Sequence, residues 1–188
     1  VSLFNKLKEL IVPQPISENT ASLFVEQDQV KHEFINFPLA YRIGILCYYI
    51  DYDSQEQIGN YKKKLEDLGY ECEALMFIDK KERENNIYLQ FFDHNDLDKK
   101  TNMPNSPRTD RFIMKRYDML INLYLNPCSQ LSHIAKMSQA KCRVAPFLDQ
   151  FKEHSDLMIL CDNNPTIEDI IININKSLNL KPYERKHL

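Results

Sequence analysis

The 188-residue chain predicts an α/β protein: a doubly wound, mostly parallel sheet, Rossmann-like or flavodoxin-like, with helices on both faces and a helical extension at its amino end. Three stretches predict it. Ile43 to Ile50 and Glu71 to Ile78 are almost continuously apolar, as strands buried on both faces of a parallel sheet must be. An amphipathic helical pattern lies between them, so the order is βαβ and the crossover should be right-handed. Tyr117 to Ala145 then forms a complete strand–helix–strand unit.

Taken in order, Leu3, Phe4, Leu7, Leu10 and Ile11 form one face of a short helix that Pro13 and Pro15 stop. Packing on its own domain or on a partner chain explains it better than a membrane surface, since its polar face lacks a Lys/Arg excess. Glu33 to Phe37 could add an edge strand. After the strand ending at Ile50, Asp51 to Asp53 make a turn, and Ser54 with Gln57 reads as a capping box. Ile58, Tyr61, Leu65 and Leu68 give that helix its buried face, and Gly69 suits its carboxyl-terminal cap. Ile87 to Phe92 is a third strand, Asp93 to Pro107 a loop, and Phe112 and Ile113 belong to a short helix.

Within the long unit, Met119 to Leu123 is the strand, Asn126 the helix cap and Pro127 the first helical residue. Leu131, Ile134, Ala135 and Ser138 form the buried stripe, and Cys142 to Ala145 is the next strand. Leu157 to Leu160 is the last. Thr166 caps a final helix with Ile167, Ile170, Ile171, Ile174 and Leu178 inside. The organisation expected is an extension over residues 1–40, one α/β domain over 41–180 and a polar tail over 181–188.

Composition excludes some functions. Hydrophobic residues at 43% and charged residues at 27% are those of an ordinary globule, and a net charge of −3 gives no electrostatic case for nucleic acid. No apolar run reaches the roughly 20 residues of a membrane span, and Val1 to Ile11 lacks the pattern of a signal peptide. The five cysteines stand in no metal-ligand or CxxC spacing, which predicts free thiols and a cytoplasmic protein.

Ligands of open α/β sheets bind beyond the carboxyl ends of the strands. The polar residues there are Asp51, Asp53, Asp79, Asn122 and Asn126, with Asp162 after the last strand. Converging carboxylates could hold a hard cation, although Asp and Asn also favour caps and turns on their own account. No cofactor is expected. The three glycines, Gly44, Gly59 and Gly69, fit no phosphate-loop order, and the acidic turn at Asp51 to Asp53 would repel phosphate. His94 and His133 have no partner at a defined spacing and read as structural. Cys128, placed in the first turn of its helix, is a candidate for a dipole-lowered thiol, with a half-buried packing role the simpler account.

The order RIGILCYY, YKKKLEDLGYECEALMFIDK, YDMLINL, IAKMSQAKCRVAPF and DLMI resembles a family of small uncharacterised bacterial α/β proteins, which implies the fold and no activity. Locally, YDMLINL with AKCRVA is similar to the amino-terminal half of heptosyltransferase-like glycosyltransferases. Tyr117, Asp118, Ile121, Leu123, Ala140, Lys141 and Arg143 match, while Asn122 replaces an Asp and Ala145 a Gly. The resemblance implies a shared supersecondary unit; the half that holds the nucleotide-sugar in those enzymes has no room in this length.

The leading functional reading is a non-catalytic protein that binds a protein partner or itself. Behind it stand a glycosyltransferase-like half that binds a sugar or nucleotide-sugar near Asn122 and Asn126, and a carboxylate metal or phosphoryl site at Asp51, Asp53 and Asp79.

Overall fold

A computed structural model describes residues 30–80, 87–162 and 164–184. The expected helix over Leu3 to Ile11 lies outside these residues. Six parallel strands, β1 (Arg42–Tyr48), β2 (Glu71–Ile78), β3 (Gln90–Asp93), β4 (Met119–Leu123), β5 (Cys142–Pro146) and β6 (Leu157–Ile159), form one sheet in the order β3-β2-β1-β4-β5-β6. That order is the Rossmann arrangement and not the flavodoxin one, because the chain returns to the centre between β3 and β4. The register pairs Ile43 with Cys72 on one side and with Met119 on the other, so β1 and β4 are the inner strands.

Among the described residues four helices cover the sheet: α1 (Tyr52–Asp67), α2 (Pro107–Met114), α3 (Ser129–Met137) and α4 (Ile167–Ser177). Strand alternation sends Ile43, Ile45, Cys47, Met119 and Ile121 to the face where Ile58, Tyr61 and Leu65 of α1 meet Ile170 and Ile174 of α4. Leu46, Phe77 and Leu120 turn to the other face, against Phe112 of α2 and Leu131, Ile134 and Ala135 of α3. Ile35, Phe37, Ala40 and Leu178 complete the first core. Residues 181–184 lie along the domain: the Tyr183 N–H donates to the Leu68 carbonyl at 2.7 Å, and its ring packs on Tyr41 and Tyr70. Among the described residues no helix is long and apolar enough to cross a membrane.

Local chemistry explains where the elements depart from expectation. Glu33 to Phe37 adds no strand. The Glu33 N–H reaches the Lys141 carbonyl at 3.0 Å, but Pro38 then turns Phe37–Leu39 into a single 3-10 turn. The cap of α1 is Asp51 and not Ser54. Asp51 is extended and accepts the Ser54 N–H at 2.8 Å, while the Ser54 hydroxyl accepts the Asp51 N–H at 3.1 Å. Strand β3 starts at Gln90, not Ile87, because Tyr88 is drawn to α1 by Gln55. Helix α3 is capped by Cys128 and not Asn126; Tyr124 and Cys128 are both buried, which leaves Asn126 and Pro127 as an exposed loop crest between them.

The amino edge of the sheet is tied by side chains. Asp118, just before β4, accepts the backbone N–H groups of Tyr41 and Arg42 at 2.9 and 3.0 Å and the Lys141 ammonium at 2.8 Å. Burial alone would raise its carboxyl, but these donors outweigh that and hold it below the usual range. Arg143 of β5 makes a two-pronged bond to Asp156 at 2.9 and 2.7 Å, which fixes the start of β6 and again keeps a half-buried carboxyl low. Tyr117 buries its ring against Gly44, where a Cβ would lie 3.2 Å from it, and donates its phenol to Glu73 at 3.1 Å. At the β5–β6 turn His154 is buried edge-on to Phe151 and lies 3.3 Å from the Tyr124 phenol. Burial, with Arg143 nearby, depresses the His154 pKa below its ordinary value of 6.5.

Two predictions test these ties. Asp118→Ala leaves two backbone donors and an ammonium without their acceptor and should lower unfolding free energy by about 2–3 kcal/mol in urea melts. Acid should act in two stages. A depressed His pKa means that the unfolded chain binds the proton first, so stability is complete above about pH 6.5 and is lost as pH falls toward the folded value. Asp118 and Asp156, also depressed, add a second loss as pH falls from about 3.8 through their folded values. His154→Gln should remove the upper stage alone, and a melting profile unchanged between pH 7 and 5 in the native protein would contradict it.

Candidate functional site

In this strand order β1 and β4 lie side by side while their connections run to opposite faces, so the crevice of the fold opens beyond their carboxyl ends. The loops there are Tyr49 to Asp51 and Tyr124 to Cys128. Asp51 is exposed, with its carboxylate engaged as the α1 cap, and Asp53 stands exposed in the first helical turn. Asn126 is exposed on the loop crest, and Asp162 is exposed beyond β6. Asn122 lies elsewhere: it is fully buried within β4, its amide donating to the Val144 carbonyl at 3.1 Å. Its carbonyl oxygen has no hydrogen-bond partner among the described residues.

One of these residues is brought into a cluster that sequence spacing does not reveal. Asp79, beyond β2, accepts the Tyr48 phenol at 3.1 Å and meets Nε2 of His94 at 2.6 Å. Parallel pairing of β1, β2 and β3 is what aligns these three residues from separate stretches of chain. Burial, with Asp79 beside it, pushes the Tyr48 phenol up to about 12, so it is a hydrogen-bond donor at neutral pH. The trio laces three strand ends together. Among the described residues no three His, Cys, Asp or Glu side chains lie together as a metal ion requires.

The Cys128 thiol is raised, not lowered. It is buried, and desolvation outweighs the nearby Gln130 and Leu131 N–H groups, while the Asp79 charge adds to the rise. The thiol donates to Oε1 of Gln130 at 3.5 Å. The alternative of a dipole-lowered thiol fails, and the simpler packing account stands, because Cys128 is the cap itself, turned into the core beneath the loop.

A second feature had no signal in the sequence. A cleft of about 850 Å³ lies between α1 and the part of β2 that β3 leaves uncovered, with Tyr52, Glu56, Lys63, Tyr88, Gln90 and Lys115 among its walls. It exists because β3 begins opposite Leu75, four residues into β2. Only pairing register shows that, and no motif marks it.

The profile of a family described as a family of unknown function (DUF6913) matches residues 18–180. No curated protein matches the chain. Among solved structures the chain is similar to a glycosyl transferase family 9 protein from Veillonella parvula, with 14% identity and a TM-score of 0.44. The match covers 78% of this chain and 43% of that one, so the chain spans less than half of that protein. A likeness of this degree says nothing about ligand or reaction.

The thiol geometry predicts that Cys128 is inert in the folded protein. Native labelling with a thiol reagent at pH 7.5 should proceed equally in the wild type and in Cys128→Ser. The variant should show one fewer reactive thiol only after unfolding. A fast native phase missing from the variant would contradict it.

Proposed function

The chain belongs to the DUF6913 family of unknown function, and we propose that it acts as a non-catalytic binding protein whose partner surface is the carboxyl edge of the sheet. One observation carries this reading. Phe147 and Leu160 stand 53% and 74% exposed, directly after the paired residues Pro146 and Ile159 of neighbouring strands. The Phe147 N–H donates to the Ile159 carbonyl at 2.8 Å, which keeps the two positions side by side. Ile50, 44% exposed, follows β1 on the same edge. Scattered apolar side chains on a surface need no explanation, but neighbours at one strand edge suit an interface core.

The rim around them carries more acid than base: Asp51, Asp53 and Asp162 are exposed, beside Lys80 over the Tyr49 ring and the Lys152–Asp149 pair. The surface therefore fits a protein partner that places apolar side chains inside a ring of Lys and Arg. A second copy would bring like charges together. The self-capping of α1, α2 and α4 favours the same reading, since their first N–H groups are met by the chain's own side chains and not held ready for an anion. A reducing, cytoplasmic setting belongs to the proposal and is supported by five unpaired cysteines, three of them inside strands.

A photo-crosslinking residue at position 147, in the full chain within its own cells, should capture one defined partner. The same residue at Ile172, exposed on α4, should not, and Leu160→Glu should abolish capture while leaving the melting temperature within about 2 °C. Equal capture at both positions, or none at 147, would overturn the reading.

A further inference from the structure

We propose that the cleft between α1 and the uncovered edge of β2 is a binding site for a neutral, polyhydroxylated ring compound, a sugar or short saccharide, stacked on Tyr88. The site is separate from the carboxyl edge and does not rest on the reading of that surface.

The first argument is how Tyr88 is held. Tyr88 is 56% exposed, yet its N–H and its phenol are both fixed by one buried residue, Gln55. The Tyr88 N–H donates to Oε1 of Gln55 at 3.2 Å, and its phenol donates to the Gln55 carbonyl at 3.1 Å. Room for the phenol comes from Gly59, where a Cβ would lie 2.3 Å from the tyrosine oxygen. Glycine inside a helix costs about 0.5–1 kcal/mol relative to alanine. Fastening the crossover to α1 accounts for the bonds at the phenol and the N–H. It does not account for an aromatic side chain left more than half exposed at the wall of a cleft. A ring held in one orientation loses no rotamer freedom when a ligand stacks on it, which is what a recognition platform requires.

The second argument is the backbone below the ring. The Glu71 N–H donates to Tyr41 of the β1 side and Phe77 accepts from Tyr49, so odd-numbered residues of β2 turn their peptide groups toward β1. The even-numbered Cys72 and Ala74 therefore turn theirs away from β1; the Ala74 carbonyl meets the first residue of β3, which leaves the Cys72 groups and the Ala74 N–H toward the cleft. They add fixed donors and acceptors to its floor.

The charge on the walls selects the ligand class. Lys62, Lys63 and Lys115 are matched by Glu56, Glu66 and Glu73. Lys62 already bonds Glu66 at 2.5 Å, and Lys115 bonds Glu73 at 2.9 Å. A phosphate or a polyamine would meet its own sign as often as the opposite one. Hydroxyl groups, which donate and accept, can satisfy carboxylates, ammonium groups and the amides of Asn60 and Gln90 together. A sugar ring also has an apolar face to lay on an aromatic ring. The volume of about 850 Å³ falls in the range of small-molecule sites.

Calorimetric titration of the full chain with maltose, cellobiose, lactose and diacetylchitobiose, and with adenosine for comparison, tests the proposal. At least one disaccharide should bind, more tightly than adenosine. Tyr88→Ala should weaken it about tenfold or more and Tyr88→Phe by less than about threefold. Because Tyr88→Ala could loosen its tie to α1, Asn60→Ala and Glu56→Ala on α1, which make neither of the Tyr88 bonds, serve as independent variants. Both sites are exposed, and each variant should weaken binding about threefold or more at an unchanged melting temperature. Three results would overturn the proposal: no disaccharide bound at millimolar concentration, adenosine preferred, or binding indifferent to all of these variants.

Discussion

The carboxylate of Asp118 is the constraint on which the inner sheet depends. Parallel strands need their starts aligned, and nothing in a parallel ladder does this locally, because the strands come from distant parts of the chain. Asp118 accepts from the first backbone groups of β1 and from Lys141 ahead of β5, while itself leading into β4. One side chain thus sets three strand starts, 41–42, 118 and 141, against one another. Arg143 with Asp156 extends the alignment to β6, and Tyr117 with Glu73 extends it toward β2.

This gives the sheet two edges with different duties. The amino edge is locked by paired charges and buried rings. The carboxyl edge is tied by the Tyr48, Asp79 and His94 bonds, by Gln150 to the Leu125 carbonyl and by Tyr124 with His154, and it presents Ile50, Phe147 and Leu160 to solvent. Of the residues behind the local likeness to heptosyltransferase-like sequences, the four with polar side chains, Tyr117, Asp118, Lys141 and Arg143, belong to the amino edge. Their work in this chain is alignment. A strand–helix–strand unit that must start three strands level will select such residues whatever its product binds at the other end.

The short β3 has consequences of its own. A longer strand would have covered Cys72 and Ala74 and closed the space beside α1. Instead Tyr88 leaves the strand path, bonds Gln55 and stands over a cleft that also holds Gly59. The space is polar and charge-balanced, while the carboxyl edge is apolar with a rim that carries more acid than base. The two surfaces differ in chemistry and sit on different strands.

The sequence by itself determined the element types, the parallel sheet and most of the core. Apolar runs and helical spacing are local consequences of burial, and β2 and β4 begin and end where those runs do. Caps were partly legible: Thr166 was, whereas Asp51 and Cys128 were not, because which polar residue closes a helix depends on where the preceding strand releases the chain. Only tertiary structure decided the strand order, the meeting of Asp79 with His94, the burial of Asn122 and the cleft beneath Tyr88. Each of these depends on register between segments far apart in the chain. Register is a property of pairs of strands, and a single strand's sequence does not contain its partner's.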